Sequence, residues 1–168
     1  MEVNSINFKV FDSLDSTNDF AKTLALKSNK PIWILAREQY SGRGRFGKIW
    51  HSSSNNFTAS YLMYPNVDVS KLSLFSFIAG LAVYEAIASF DVDEAFLCLK
   101  WPNDLLINYR KLAGILVENI YCPLNKDNAL VLGFGVNLVS SPSSNLLEEN
   151  SLPVDHLGNY VDNLPDPV

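Results

Sequence analysis

Polar and apolar residues alternate from the start of the chain: Ile6, Phe8 and Val10 are separated by polar neighbours, the period of a half-buried strand. Asp15-Ser16-Thr17-Asn18-Asp19 follows, and Ser16 with Asp19 three places on predicts a helix N-terminus leading through Phe20 and Leu24 to Lys27. Pro31 ends the intervening turn, and Ile32–Ala36 reads as a short apolar strand. Gln39–Lys48 sets Gly42, Gly44 and Gly47 among polar and basic residues, the composition of a loop. Phe57–Tyr64 alternates again and is closed by Pro65. Ser70–Phe90 has the 3.6-residue period of a long amphipathic helix, with Leu74, Phe77, Ile78, Leu81, Tyr84 and Ile87 on or near one face. Strands are predicted at Ala95–Leu99, Leu105–Ile107, Leu112–Tyr121 and Ala129–Leu138, with a tight turn at Asn108–Arg110.

Many strands, few helices and short links predict an α+β fold with a mixed, largely antiparallel sheet, and argue against a doubly wound parallel one. The texture changes at about Ser140, where Ser, Asn and Pro dominate and periodicity fades, so the C-terminal segment is expected to be weakly structured, with at most one short helix. A chain of 168 residues then fits a single domain spanning 1–168.

Composition narrows the function classes. With 48% hydrophobic and 18% charged residues, wholesale disorder is excluded. A net charge of −5 argues against a generic nucleic-acid binder, which needs a basic face, but leaves room for a small basic site. Cys98 and Cys122 form no CxxC pair and read as reduced thiols. Met1–Val10 lacks the basic and apolar regions of a signal peptide, and the longest apolar stretch, Leu72–Phe90, is interrupted by Ser73, Ser76, Glu85 and Ser89. A cytoplasmic protein without a membrane partner is the expectation.

The chemistry concentrates in Gly42-Arg43-Gly44-Arg45-Phe46-Gly47-Lys48. This matches the G-x-G-x-x-G dinucleotide pattern, yet Lys48–Asn56 is poor helix material, and a dinucleotide site wants a helix there. A protein-kinase glycine loop lacks its companion HRD and DFG motifs here. Two arginines and a lysine on a glycine-rich loop instead make an anion clamp, against the blander reading of a solvated basic turn.

That loop with Gln39 and Trp50, together with Asp15-Ser16-Thr17-Asn18, Lys100-Trp101-Pro102-Asn103-Asp104, Lys111-Leu112-Ala113-Gly114-Ile115-Leu116-Val117-Glu118 and Gly133-Phe134-Gly135-Val136-Asn137, closely resembles the catalytic domain of biotin–protein ligases. The likeness runs from about Phe11 to Leu138 in the family's order. It implies a class II aminoacyl-tRNA synthetase-like fold and ATP-dependent joining of biotin, through biotinyl-5′-AMP, to a lysine of a biotin carboxyl carrier protein domain.

By that resemblance Ser16, Thr17, Asn18 and Gln39 would hold the ureido ring, whose carbonyl and N–H groups suit hydroxyl and amide partners. Arg43, Gly44 and Arg45 would clamp the biotin carboxylate and the α-phosphate, with Trp50 as an apolar wall. Lys111, beside Gly114, would reach the carboxylate or the adenylate phosphate. Lys100, Asn103, Gly133, Gly135 and Asn137 would meet ATP, Asn137 at the adenine edge, and Asp104 would hold phosphate-bound Mg²⁺. Arg45, Lys111 and Asp104 are the residues expected to act in catalysis. Each has a plainer alternative: Ser16 as a helix cap, Trp50 as core, Lys111 as a solvated turn residue, Pro102-Asn103-Asp104 as a turn.

Strand-like residues from Ile6 onward predict no N-terminal helix-turn-helix domain, and roughly thirty residues after Leu138 are too few for a C-terminal β-barrel domain. No nucleic-acid partner is expected, and a homodimer is left open. Two other functions compete: a lipoate or octanoate ligase or transferase of related fold, and a catalytically silent biotin-binding protein.

Overall fold

The structure, a computed structural model, describes residues 6–124, 127–149, 151–164 and 166–167. Its elements are β1 (Phe8–Leu14), α1 (Thr17–Ala25), β2 (Ile32–Gln39), β3 (Phe57–Met63), α2 (Phe75–Ala88), β4 (Leu97–Lys100), β5 (Asp104–Ile107), β6 (Arg110–Cys122) and β7 (Asp127–Val136). The strands form one sheet in the order β1-β2-β3-β7-β6-β5-β4. Among these strands β1 and β2 pair parallel, joined by the α1 crossover, and the other strand pairings are antiparallel. This is the α+β class the sequence predicts.

Local chemistry sets the boundaries. Ser16 caps α1, its Oγ accepting the Asp19 N–H at 3.3 Å. Asn108 and Tyr109, at φ 47° and 62°, make the two-residue turn between β5 and β6, a position where asparagine tolerates the left-handed region.

Alternation along β7 decides where a site can form. Leu130, Leu132, Phe134 and Val136 join the main core with Val83 and Ile87 of α2. The intervening Ala129 and Val131 pack instead with Ala21 and Ala25 of α1, and Gly133 and Gly135 continue that second face. Cross-strand register puts Gly114 opposite Gly135 on β6 and Ser60 opposite Gly133 on β3. Beyond the α1 contact, then, this face carries small residues in place of a core, and the result is a hollow.

The structure corrects three expectations. The first strand does not bury Ile6, Phe8 and Val10, which are 71%, 63% and 39% exposed; β1 is the sheet edge, and Phe11 and Leu14 are its residues packed towards α1. The predicted long helix splits into a 3₁₀ segment (Val69–Leu74) and α2. Its buried face is Ala79, Gly80, Val83 and Ile87, whereas Leu74, Phe77, Ile78 and Leu81 are exposed. A helix apolar nearly all round carries no clear stripe, and the small Ala79 and Gly80 allow closer approach to the sheet. Third, Val69–Ala88 is long and apolar enough to cross a membrane by length and composition, contrary to the interrupted-run expectation; in the fold it lies on the sheet, with Leu72, Ala79, Val83 and Ile87 in the main core.

Candidate functional site

The hollow is a cavity of about 420 Å³, floored by β6 and β7, walled by the start of α1 and roofed by the glycine-rich loop and the segment around Leu146–Val154. It brings together nearly all the residues singled out in the sequence: Ser16, Thr17, Asn18, Gln39, Arg43, Gly44, Arg45, Trp50, Lys100, Asn103, Asp104, Lys111, Gly114, Gly133, Gly135 and Asn137 all line it.

At the α1 end the polar groups are buried and already engaged. Thr17, 3% exposed, donates from its backbone N–H and its hydroxyl to Gln39 Oε1 at 2.7 and 3.0 Å. Gln39 Nε2 donates to Ser52 Oγ at 3.2 Å. Asn18, 5% exposed, donates from Nδ2 to Glu118 Oε2 at 2.7 Å. Ser60 Oγ lies 2.7 Å from Thr17 Oγ1 and 2.5 Å from Asn18 Oδ1, so its single proton serves one at a time. A ligand entering here meets an ordered array of amide and hydroxyl groups that line the cavity.

The glycine-rich loop is a narrow hairpin. Trp50 N–H donates to Gly42 O at 2.9 Å, Gly44 N–H donates to Lys48 O at 2.7 Å, and Arg43 bridges Ile49. A Cβ on Gly42 would sit 2.6 Å from Trp50 O, so the stem closes only with glycine there. Arg45–Gly47 form the tip as a 3₁₀ turn, with Phe46 at φ 56° and 90% exposed.

Most of the cations around the cavity face carboxylates. Arg43 donates through both terminal nitrogens to Asp19 and lies 3.4 Å from Glu118 Oε2. The Arg43 hydrogen bond holds the Asp19 carboxyl down at about 2, against the opposing effect of burial and with help from Lys22. Burial pushes Glu118 up, but hydrogen bonds from Asn18 and Lys22 and the charges of Lys22 and Arg43 bring it below its ordinary value. Lys48 pairs with Glu148 at 2.8 Å, and Lys111 Nζ lies 2.8 Å from Asp104 Oδ1, a charge pairing without hydrogen-bond alignment. Arg45 has no carboxylate partner among the described residues: it reaches Asn103 Oδ1 at 3.5 Å and sits 5.0 Å over the Phe46 ring.

Three of the residues expected to meet the nucleotide also have close partners within the protein. A Cβ on Gly133 would lie 2.3 Å from Asn18 Oδ1, and one on Gly135 would lie 2.3 Å from the Trp50 ring. These glycines admit Asn18 and Trp50, and both also line the cavity. Trp50 lies on the floor made by Gly135 and Gly114, with Lys111 Nζ 5.5 Å from its ring centroid. Asn137, 2% exposed, donates to Asp155 O at 3.0 Å and so braces the C-terminal segment while also lining the cavity.

Sequence reasoning gave no part in the site to Ser60, Glu118, Asp19 or the C-terminal residues Pro142, Leu146, Leu147, Glu148, Ser151, Leu152 and Val154, all of which build the site or its rim. Glu118 was accessible to it: Gly114, Leu116 and Glu118 share one face of β6 by simple alternation. The C-terminal stretch carries no such signal. It is held by backbone bonds on both sides of Lys111, whose N–H donates to Pro153 O at 2.8 Å and whose carbonyl accepts from Asp155 N–H at 3.0 Å. Among the described residues no group of three or more His, Cys, Asp or Glu is arranged to hold a metal. Among the described residues lining the cavity the carboxylates are Asp104 and Glu148; Asp104, beside Lys111, would suit a cation that arrives with phosphate and keeps its waters.

Comparison with known proteins gives the family. The model of the biotin/lipoate A/B protein ligase family matches residues 10–137. A biotin–[acetyl-CoA-carboxylase] ligase of Paracoccus denitrificans is 38% identical over 139 residues, which cover 83% of this chain and 58% of that protein. Among solved structures, the biotin protein ligase of Aquifex aeolicus in complex with biotin and ATP superimposes with a TM-score of 0.73 at 28% identity, covering 96% of this chain and 63% of that one. A biotin acetyl coenzyme A carboxylase synthetase of Helicobacter pylori with bound biotinylated ATP gives 0.65 at 27% identity, over 84% of this chain and 69% of that one. The chain thus spans about three fifths of the length of the first two.

Proposed function

Because the chain belongs to the biotin/lipoate A/B protein ligase family, we propose that it activates biotin with ATP and transfers the biotinyl group to a lysine of a biotin carboxyl carrier protein domain. The observation that carries this reading is Arg45, which reaches the cavity without a carboxylate partner while the far end presents Thr17, Asn18 and Gln39. A ligand with a polar, hydrogen-bonding ring at one end and an anion at the other matches both ends at once. Biotin has that form. Lipoate carries a carboxylate but no donor or acceptor on its dithiolane ring, so the buried Thr17–Gln39–Asn18 array favours biotin over the lipoate and octanoate members of the family.

In the first step a carboxylate oxygen of biotin attacks the α-phosphorus of ATP, forming biotinyl-5′-AMP and releasing diphosphate. Two anions must approach, and Arg45 and Lys111 offset their repulsion and stabilise charge building on the phosphoryl oxygens. Lys111 would exchange its Asp104 partner for ligand oxygen, and Trp50 would cover one side of the bound acyl group. Mg²⁺ travelling with the nucleotide would neutralise phosphate charge, with Asp104 the residue to hold it. In the second step the acceptor lysine amine attacks the acyl carbonyl of the anhydride and AMP leaves. The hairpin and the Leu146–Val154 segment would keep water from the anhydride in the interval. A cytoplasmic setting, where carboxylases and ATP are found, follows from this reading.

The test is ATP–diphosphate exchange in the presence of biotin, lipoate or octanoate. Exchange with biotin alone is expected. Equal exchange with lipoate would move the chain to the lipoate branch, and biotin binding without exchange would make it a binding protein.

A further inference from the structure

The hairpin carries two arginines, and the structure treats them differently. Arg43 lies in the stem, at the bridge to Ile49, between the Gly42 O and Gly44 N–H hydrogen bonds that close the ladder. Arg45 lies at the tip. The guanidinium of Arg43 is taken up on two sides by Asp19, in the first turn of α1, and by Glu118, on β6. The same two carboxylates are bridged by Lys22, whose Nζ is 2.9 Å from each. Glu118 is held in turn by Asn18 at 2.7 Å. Four side chains from three elements thus form one neutral cluster of two cations and two anions, next to the polar end of the cavity.

We infer that Arg43 is a positioning residue: Asp19 and Glu118 tie it down as the strut that anchors the glycine hairpin to α1 and β6, and Arg45 alone of the two arginines meets the ligand's anion. The physical case rests on competition and on placement. An anion reaching for Arg43 must displace a two-pronged carboxylate already seated and a second one beside it, whereas Arg45 gives up one long contact to a neutral amide. Three glycines make the hairpin costly to order, and a tie at its stem removes that cost before ligand arrives without restraining the tip. The cluster also couples the hairpin to Asn18, so the loop and the polar end of the cavity are positioned together.

This assignment deepens the ligase reading for its kinetic arm, but the tie itself is testable without activity. The protein is compared with Asp19→Asn, Asp19→Glu, Arg43→Gln and the Asp19→Asn/Arg43→Gln double variant, each checked for an unchanged fold by circular dichroism. In the ligand-free protein, trypsin should cut within residues 43–48 about fivefold faster or more in Asp19→Asn, because the anchored population falls. Asp19→Glu should restore protection. In biotin-dependent exchange, Asp19→Asn should raise the KM for biotin about threefold or more with kcat within about twofold, the signature of a less populated competent loop. The double variant should be no worse than Arg43→Gln, since both act through one tie.

A fall in KM for Asp19→Asn would overturn the inference, for it would mean that Asp19 restrains an arginine which otherwise binds the ligand. Unchanged proteolysis, or independent effects that multiply in the double variant, would overturn it as well. If the wild-type chain exchanges no diphosphate, the ligase reading fails, and the tryptic comparison alone decides the tie.

Discussion

Gly133→Ala tests whether the polar end of the cavity is built as described. The backbone at Gly133 is not left-handed, so alanine meets no conformational barrier there. Space is the obstacle: the new Cβ would stand 2.3, 2.9 and 3.0 Å from Oδ1, Cγ and Nδ2 of Asn18, so the whole carboxamide must move. Asn18 is 5% exposed, and the open side left to it is the ligand cavity that it lines. Moving it breaks the contact with Ser60 at 2.5 Å and the hydrogen bond to Glu118 at 2.7 Å. A neutral bond is worth about 1 kcal/mol and one to a carboxylate about 1.5–3 kcal/mol. Replacing glycine returns about 0.5–1 kcal/mol by restricting the unfolded chain, which leaves a net loss of about 1.5–3.5 kcal/mol. Urea unfolding should show that loss, and calorimetric titration should show biotin affinity down about tenfold or more. Gly80→Ala is the control of opposite sign: its Cβ would make ordinary contact with Leu99 at 3.5 Å within α2, and stability should rise by up to about 1 kcal/mol. A Gly133→Ala protein with wild-type stability and wild-type biotin affinity would refute the packing argument.

The remaining predictions concern charge. Arg45→Ala should leave the melting temperature in place and speed loss of the adenylate about ten- to a hundredfold, for a charge-assisted contact worth roughly 1.5–3 kcal/mol; equal dissociation rates would remove Arg45 from the site. Lys111→Ala should slow single-turnover adenylate formation about tenfold or more. It should also cost about 1 kcal/mol of stability, because Asp104, with a side chain 14% exposed, loses its cation; Asp104→Asn in the same chain should recover that stability but not the rate. The Asp19 carboxyl titrates lower in the folded protein, at about 2, than its ordinary 3.8, so its tie contributes above about pH 4 and is lost as pH falls towards 2. Half exposure of that side chain keeps the contribution under about 1 kcal/mol. The stability gap between wild type and Asp19→Asn, measured by urea at pH 6 and again near pH 2.5, should narrow in acid; a widening gap would contradict the assignment.

The fold was legible where a local signal and the final packing agree. Ser16 capping α1, the strand β3 and the turn beginning at Asn108 all follow from residues close in sequence. It was illegible where tertiary neighbours choose among equally apolar faces. Nothing in Phe75–Ala88 says that Ala79, Gly80 and Val83 go inward while Phe77, Ile78 and Leu81 stay out; the concave sheet surface decides that by size. The membership of the site was legible by its motifs, but roles within it were not. Gly133 and Gly135 signal close approach, and only the cross-strand register and the positions of Asn18 and Trp50 reveal what approaches.

The C-terminal segment shows the same limit from another side. Its composition predicts weak structure, and its regular elements are only the 3₁₀ turns Ser144–Leu146 and Leu157–Asn159. Its order comes from long-range backbone pairing: Lys111 is bracketed by Pro153 and Asp155, Asn137 grips Asp155 O, and Leu157 N–H donates to Asn137 O at 2.9 Å. The Asp155 carboxylate then collects Tyr160 Oη at 3.0 Å and Asn159 Nδ2 at 2.6 Å, and these hydrogen bonds help bring it below its ordinary value although burial pushes it up. Such pairing leaves no periodic trace, because each partner is set by where β6 and β7 end and not by its own neighbours. Its consequence is mechanical. The backbone on both sides of Lys111 is fixed, so in the proposed reaction the ammonium would change partners from Asp104 to a ligand oxygen by rotating its stem alone, with the strand held still beneath it.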